Sequence, residues 1–341
     1  MTRKNSSHFL LTILFFVYLA GKEVNNEVSE KTVVFDTAQQ VEDYRFSTLI
    51  AKNGKIVSEA YHNGKTKDSL CNVQSLTKGI MSVLIGIALD KGFIKNIDES
   101  IANYLPEEFE TIGNTAKRAI TVRHILNQTS GLSWKGYLEH EKWLNSKDPI
   151  LFVLNKNLEN TPGTRYNYNS GATHLLSVIL TRATGKTTLE FANTMLFGPL
   201  AIKHVDWERR NKGYYDGSGL GLSMKPIDLM KIGQLLANQG YWKNSTIVAE
   251  SWVEQLFDAD QKSNTTWGLK GSKHGFCWYK SKIQGDVIDY GMGYGGQFIL
   301  MIPEKELIIV TTHNHDTPNG IEQQVKFLNE RLPKLITAYG S

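Results

Sequence analysis

Strand-like segments occur near both ends of this 341-residue chain, and a long stretch of mostly helical pattern separates them. Near the N-terminal end, 47–52 and 55–61 flank Asn53-Gly54, a strong hairpin signal because both turn residues need a positive φ. Toward the C-terminus, four short segments rich in β-branched and aromatic residues precede a last helix with one apolar face. The predicted strands of this part cover 275–279, 286–290, 297–301 and 307–312.

This order of segments predicts an α+β fold in which an antiparallel sheet is built from both termini and flanked by helices. A helical lobe, predicted over 71–240, is inserted into it. The remaining α/β lobe combines 33–70 with 241–341, so 33–341 is expected to form one unit.

The N-terminus predicts export. Arg3, Lys4 and His8 precede an apolar run over 9–20, which is shorter than the about 20 residues that a membrane-spanning helix needs. We therefore expect a signal peptide over 1–21, or a retained anchor, followed by a polar spacer over 22–32. The expected location is periplasmic or extracellular, with membrane contact only if the first segment is retained.

Composition excludes several classes of protein. With 41% hydrophobic and 21% charged residues, the chain buries a large core and is not disordered. A net charge of +4 with scattered Lys and Arg gives no reason to expect nucleic acid as a partner. The two cysteines, Cys71 and Cys277, are too few for a disulfide framework. Cys71 is predicted to be a small buried residue, and pairing with Cys277 and the oligomeric state are left open.

A serine and a lysine lie three residues apart at the start of a predicted helix. Apolar residues recur at helical spacing between Ser75 and Gly92, so this helix is expected to be buried. Ser75 and Lys78 share one face, which brings the hydroxyl within reach of the amine. A serine hydroxyl needs such a neighbour, and the helix N-terminus adds a positive dipole. The S-x-x-K pattern is short enough to arise by chance, so other segments must support it.

Two further segments follow it in order: 166–171 (Tyr-Asn-Tyr-Asn-Ser-Gly) and 293–297 (Gly-Tyr-Gly-Gly-Gln). Together with Ser75-Leu76-Thr77-Lys78, they resemble the serine β-lactamase and penicillin-recognising enzyme superfamily. The resemblance extends from about 46 to 312 and implies a β-lactamase/transpeptidase-like fold. Its other matching segments are 120–132, 162–165 and 228–235.

The resemblance implies a role for each catalytic position. Ser75 corresponds to the acylated nucleophile, Lys78 to the amine that accepts or relays its proton, and Tyr168 to a tyrosine that assists as general base. A phenol acts as a base only where a nearby cation favours the phenolate, and Lys78 is the natural candidate. The backbone N–H groups of Ser75 and Gln297 are expected to form the oxyanion hole. No metal and no cofactor is expected.

The expected substrate-binding residues depart from the superfamily pattern. Ser170 stands where penicillin-recognising enzymes have Asn, and Tyr294 where they have Lys or His. These changes remove an amide and a charge that would hold a β-lactam or a peptide carboxylate. Gly295 and Gly296 are expected to let the substrate approach the strand edge. This version resembles the branch of aminohexanoate-oligomer hydrolases and family VIII-type carboxylesterases.

The sequence thus predicts an exported serine hydrolase that cleaves a small-molecule ester or amide through an acyl-enzyme on Ser75. A β-lactamase or D-alanyl-D-alanine peptidase is the first alternative. A non-catalytic binding module of the same fold is the second, although it would not need Ser75, Lys78 and Tyr168 together.

Two further patterns suggest other chemistry. The segment 141–145 fits the E-x-x-L-N motif of class A β-lactamases but precedes Tyr168, so we interpret it as coincidence. His313 and His315 suggest a metal, but no third ligand has suitable spacing, and we expect a solvated strand end.

Overall fold

An eight-stranded antiparallel sheet combines strands from the beginning and the end of the described chain in the computed structural model, which describes residues 44–263 and 266–341. The strands are β1 (Arg45–Lys52), β2 (Lys55–Tyr61), β3 (Cys71–Asn72), β4 (Asp206–Trp207), β5 (Leu222–Met224), β6 (Tyr241–Trp242), β7 (Ser245–Thr246), β8 (Gln261–Lys262), β9 (Lys273–His274), β10 (Tyr279–Ile283), β11 (Asp286–Gly293), β12 (Gln297–Ile302) and β13 (Leu307–His313). The strand order of the large sheet is β2-β1-β13-β12-β11-β10-β9-β8. Strands β3, β5 and β4 form a second sheet, and β6 pairs with β7.

Helices occupy most of the segment between the two groups of sheet strands, as predicted. Two five-residue π-helical segments, Asn193–Phe197 and Phe327–Arg331, each continue directly from an α-helix. The α-helices are α1 (Leu76–Asp90), α2 (Pro106–Ile112), α3 (Val122–Leu126), α4 (Tyr137–Leu144), α5 (Pro149–Leu154), α6 (Ser170–Thr184), α7 (Thr188–Ala192), α8 (Pro226–Ala237), α9 (Glu250–Phe257), α10 (Gly320–Lys326) and α11 (Leu332–Tyr339).

The N-terminal hairpin starts the sheet as expected. Asn53 and Gly54 have φ values of 51° and 72°, which the tight turn requires. On its other side β1 pairs with β13, with Leu49 opposite Val310. The sheet is therefore built from both termini, and the predicted α+β, β-lactamase/transpeptidase-like fold is confirmed.

Helix α1 is buried on every side. Its residues from Leu76 to Ala88 are all buried, and it contacts α6 and β11. A helix that is apolar all round belongs to the core rather than to the surface. Two glycines allow large side chains to approach its backbone. The indole of Trp278 donates to Gly79 O at 3.2 Å, and that of Trp252 donates to Ser82 O at 3.1 Å beside Gly86.

The prediction of a strand over 275–279 is wrong. Strand β9 ends at His274 and β10 begins at Tyr279, and a turn joins them. Cys277 has a φ of 63° in this turn, and its N–H donates to Leu126 O at 3.1 Å. The segment resembles a buried strand because its apolar side chains are buried, with Trp278 packed on α1.

The helical region also contains a sheet that we did not predict. Its strands β3, β5 and β4 are only two or three residues long. Such short segments show no alternation of apolar and polar residues that a sequence pattern could detect. Strand β3 comes directly before α1 in the chain and pairs with β5, so this sheet helps to fix the start of that helix.

Both cysteines are buried free thiols. Burial raises the pKa of Cys71 and raises the pKa of Cys277 to about 12. These thiols are therefore protonated near neutral pH, which fits the expectation that Cys71 is a small buried residue.

The predicted signal peptide or anchor and the spacer lie outside the described residues. Within residues 44–263 and 266–341, no helix has the length and apolar character that a membrane span requires.

The packing at Gly86 gives a stability prediction. A Cβ at this position would lie 2.1 Å from Trp252 Nε1, so Gly86→Ala should destabilise the protein by about 1–3 kcal/mol despite the higher helix propensity of alanine. Urea unfolding measures this. In the double variant Gly86→Ala/Trp252→Leu, the loss in free energy of unfolding should be smaller than the sum of the losses in the two single variants. Strictly additive effects would show that the indole does not cause it.

Candidate active site

Ser75 lies at the N-cap of α1, at the end of a strained turn. The preceding Gln74 has a φ of 51°, a left-handed conformation that a non-glycine residue adopts only when its surroundings hold it there. Asn72 supplies this support, since its Oδ1 accepts from Gln74 N at 2.9 Å. Asn72 Nδ2 donates in turn to Leu220 O at 2.6 Å, which ties the turn to a distant loop.

Three of the predicted residues meet at the Ser75 hydroxyl. Lys78 Nζ donates to Ser75 Oγ at 2.9 Å, and Tyr168 Oη lies 2.8 Å from the same oxygen. The ammonium also lies 4.9 Å from the centroid of the Tyr168 ring. Lys78 is only 2% exposed, so this cation acts in surroundings of low polarity. The structure therefore brings together the three catalytic residues predicted from sequence.

The start of α6 holds Tyr168 in place. The N-cap residue Asn169 accepts from Ala172 N at 2.8 Å, and its own N–H donates to Gln128 Oε1 at 2.6 Å. On the other side, the Trp267 ring meets the Tyr168 ring edge to face, with centroids 6.0 Å apart. The phenol is thus fixed by a helix cap and by an aromatic neighbour.

A turn that sequence reasoning missed completes the surroundings of Lys78. Ser218 O accepts a hydrogen bond from Lys78 Nζ. The next residue, Gly219, has a φ of 115°, and a Cβ there would lie 2.9 Å from Lys78 Nζ and 3.0 Å from Ser75 Oγ. Only glycine fits this position. The run of small residues from Asp216 to Gly219 was the available signal, but it has no spacing that indicates a partner.

Gln297, the predicted oxyanion residue, begins β12 opposite Gly293. Its side chain donates to His313 O at 3.0 Å and accepts from His313 N at 3.0 Å, and no hydrogen bond recorded between described residues joins it to Ser75. Gly293 packs against the turn that precedes Ser75, because a Cβ there would lie 2.2 Å from Val73 O and 2.9 Å from Gln74 Cβ. A contribution of the Gln297 N–H to the oxyanion hole stays a prediction.

The predicted substrate-binding residues differ in exposure. Ser170 is buried as the first residue of α6, and Tyr294 is 39% exposed. Gly295 and Gly296 lie against histidines: a Cβ would be 3.1 Å from His315 Cα and 2.7 Å from His313 Nδ1, respectively. These histidines give a structural reason for the two glycines. Contact of these four residues with a substrate stays a prediction.

The expectation of a solvated strand end at His313 is wrong. His313 is 4% exposed, and its Nδ1 lies 2.7 Å from Gly296 O, so the ring is part of the packed turn. Among residues 44–263 and 266–341, no group of three His, Cys, Asp or Glu side chains is arranged to hold a metal ion.

In the E-x-x-L-N segment Glu141 is exposed, whereas the preceding His140 points its Nε2 toward Ser218 Oγ at 3.4 Å.

Three histidines around the site are neutral near pH 7. Burial, with a further contribution from the Lys78 charge, lowers the pKa of His140 to about 4 and that of His274 to about 3. Burial also lowers the pKa of His174 to about 4. His174 Nδ1 accepts from Gly217 N at 3.3 Å, a bond that needs the unprotonated nitrogen.

A serine at the tip of a buried helix, with a lysine one turn further and a tyrosine just before α6, is the arrangement of a protein of the β-lactamase/transpeptidase-like fold. The chain belongs to the Beta-lactamase family, whose sequence pattern matches residues 39–329. Membership in this family of hydrolases supports a hydrolytic activity for the chain.

Individual relatives are distant. The 6-aminohexanoate-dimer hydrolase of Paenarthrobacter ureafaciens is 22% identical over 306 residues, which cover 80% of this chain and 76% of that protein. Penicillin-binding protein 4* of Bacillus subtilis (strain 168) is 23% identical over 336 residues, which cover 90% of this chain and 70% of that protein. A solved structure described as a 6-aminohexanoate-dimer hydrolase from Bacillus anthracis superposes with a TM-score of 0.73 at 18% identity, covering 88% of this chain and 81% of that one.

The buried histidines predict a loss of stability in acid. The folded pKa of His174, about 4, lies below its unfolded value of about 6.5, so between these values the unfolded chain binds more protons and stability falls as pH falls. Between about pH 7.5 and about pH 5, the lowered pKa of His174 should reduce the free energy of unfolding by about 2 kcal/mol. Urea unfolding at both pH values should show that His174→Asn reduces the difference by about this amount.

The exposed His204 provides the control. His204→Asn should leave the pH dependence as in the unmodified protein. An equal pH dependence for His174→Asn and the unmodified protein would show that His174 is not the group that resists protonation.

Proposed function

We propose that this protein is a serine hydrolase that cleaves an ester or an amide through an acyl-enzyme on Ser75. One observation carries the proposal: the Ser75 hydroxyl contacts both Lys78 Nζ and Tyr168 Oη, at 2.9 and 2.8 Å. A hydroxyl with a cation and a proton acceptor at hydrogen-bond distance is an activated nucleophile.

Tyr168 serves as the base in the acylation step. The Lys78 ammonium lies over its ring and at Ser75 Oγ, and Tyr168, acting as the phenolate, takes the hydroxyl proton as Oγ bonds to the substrate carbonyl carbon. When the tetrahedral intermediate collapses, the bond to the leaving alcohol or amine breaks, and Tyr168 returns the proton to it. Water then attacks the acyl-enzyme by the reverse sequence, and the product acid leaves.

The residues around this centre favour esters or unactivated amides over β-lactams. Tyr294 replaces the cation that would pair with a β-lactam carboxylate, and Ser170 replaces an amide. The similarity to a hydrolase of 6-aminohexanoate dimers supports an amide as one substrate class. The N-terminal apolar segment supports export to the periplasm or the extracellular space.

The acyl-enzyme is tested with a fluorophosphonate probe and intact-protein mass spectrometry. The unmodified protein should gain the mass of one probe, and Ser75→Ala should abolish both the labelling and the turnover of short p-nitrophenyl esters. Tyr168→Phe, which keeps the ring but removes the base, should slow turnover by about 100-fold or more. Retained ester turnover in Ser75→Ala would contradict the mechanism.

Parallel assays separate the alternatives. Nitrocefin turnover as fast as ester turnover would favour a β-lactamase. Failure of all acyl probes to add mass to the folded protein would favour a non-catalytic binding module.

A further inference from the structure

Lys78 is a buried ammonium that has no direct carboxylate partner. It is 2% exposed, and within residues 44–263 and 266–341 it takes part in no ion pair at 4.0 Å or less. Its contacts are Ser75 Oγ, Ser218 O and the face of the Tyr168 ring. Burial of a charge without compensation costs free energy, so the protein must stabilise this cation in another way.

One peptide group connects Lys78 to a buried carboxylate. The peptide between Ser218 and Gly219 accepts from Lys78 through its C=O and donates from Gly219 N to Asp216 Oδ1 at 3.2 Å. The positive end of its dipole therefore faces the carboxylate, and the negative end faces the ammonium. Hydrogen bonds in such a chain polarise one another, so the negative charge strengthens the carbonyl as an acceptor.

Asp216 itself is firmly held. It is 0% exposed, and its Oδ1 accepts a second backbone bond from Ser218 N at 2.5 Å. Its Oδ2 pairs with Arg210 Nε at 2.6 Å, and its carbonyl accepts from Trp207 Nε1 at 2.7 Å. Burial acts to raise the pKa of Asp216, but the Arg210 charge and the Ser218 bonds outweigh it and lower that pKa. The group is therefore an anion near neutral pH.

Other titratable groups face Lys78 from the elements packed around it. His140 on α4 and His274 on β9 have lowered pKa values, and Cys277 in the β9–β10 turn has a raised one, in each case because of burial. All three are uncharged near neutral pH, and none supplies negative charge to the lysine. Arg210 is positive and lies behind Asp216.

We propose that Asp216 is a positioning residue that acts as the indirect counter-ion of Lys78, through the Ser218–Gly219 peptide, with Arg210 holding the carboxylate. The inference rests on the proposed function, because its effect is read at Ser75. A carboxylate in direct contact would compete with Ser75 Oγ for the ammonium. The intervening peptide lets the negative charge stabilise Lys78 while the ammonium still contacts the hydroxyl.

The test is the rate of Ser75 acylation by the fluorophosphonate probe, followed by intact mass from about pH 5 to about pH 9. Asp216→Asn keeps the size and an acceptor oxygen but removes the charge. It should slow acylation by about 100-fold and move the alkaline limb of the pH profile to lower pH, because the ammonium that activates Ser75 loses a stabilising charge and gives up its proton more readily. An unchanged rate and profile in the folded variant would overturn the proposal.

A double variant separates positioning from structure. Asp216→Asn alone leaves the half-buried Arg210 with the exposed Glu208 as its remaining ion-pair partner, whereas Asp216→Asn with Arg210→Gln removes both charges of the inner pair and is the safer protein to fold. A purely structural role predicts that the double variant recovers both thermal stability and acylation. The counter-ion role predicts recovery of stability with acylation still slow, so recovery of both would overturn the proposal.

Glu208→Gln is the matched control. Glu208 is the other partner of Arg210, at 2.8 Å, but its side chain is 60% exposed. Loss of the Glu208 charge should change the rate of Ser75 acylation by less than about threefold. A protein that takes up no probe even without substitution would contradict the proposed function itself. Normal labelling that is insensitive to Asp216→Asn would contradict only the counter-ion role.

Discussion

A lysine ammonium enclosed by protein requires fixed acceptors, and much of the molecule supplies them to Lys78. Helix α1 carries it into the core, where the helix packs against β11 of the large sheet and against α6. The start of α6 provides the Tyr168 ring, and the turn at Ser218 provides a carbonyl. In the proposed mechanism Ser75 gains its reactivity from these contacts, because a hydroxyl beside an unfixed lysine on an exposed helix would be an ordinary one.

The sequence predicted most reliably those features that depend on residues close together in the chain. The Asn53-Gly54 turn, the buried helix after Ser75 and most C-terminal strands follow from turn chemistry and periodicity, which act over a few residues. Ser75, Lys78 and Tyr168 were identified together because motifs in a fixed order resemble one family, and the family assignment is confirmed. Spacing alone would have shown only that Ser75 and Lys78 share a helix face.

The remaining features depend on contacts between residues far apart in the chain. Ser218 is 140 residues from Lys78, and the turn that presents it has a composition found in many loops. The small sheet of β3, β5 and β4 has strands too brief to show a period. At 275–279, a buried turn and a buried strand have the same apolar composition, so the sequence could not distinguish them. The role of the 294–296 turn likewise depends on how it packs against His313, which no local pattern encodes.

The distances along the chain between these groups have a consequence for the unfolded protein. Ser75 and Tyr168 are 93 residues apart in the sequence. Their contact therefore forms only after α1 has packed against the large sheet and α6. Until then Ser75 is chemically indistinguishable from any other serine of the chain. Under the proposed mechanism, covalent labelling of this hydroxyl would report completed folding, and a newly made or damaged chain would carry no reactive nucleophile.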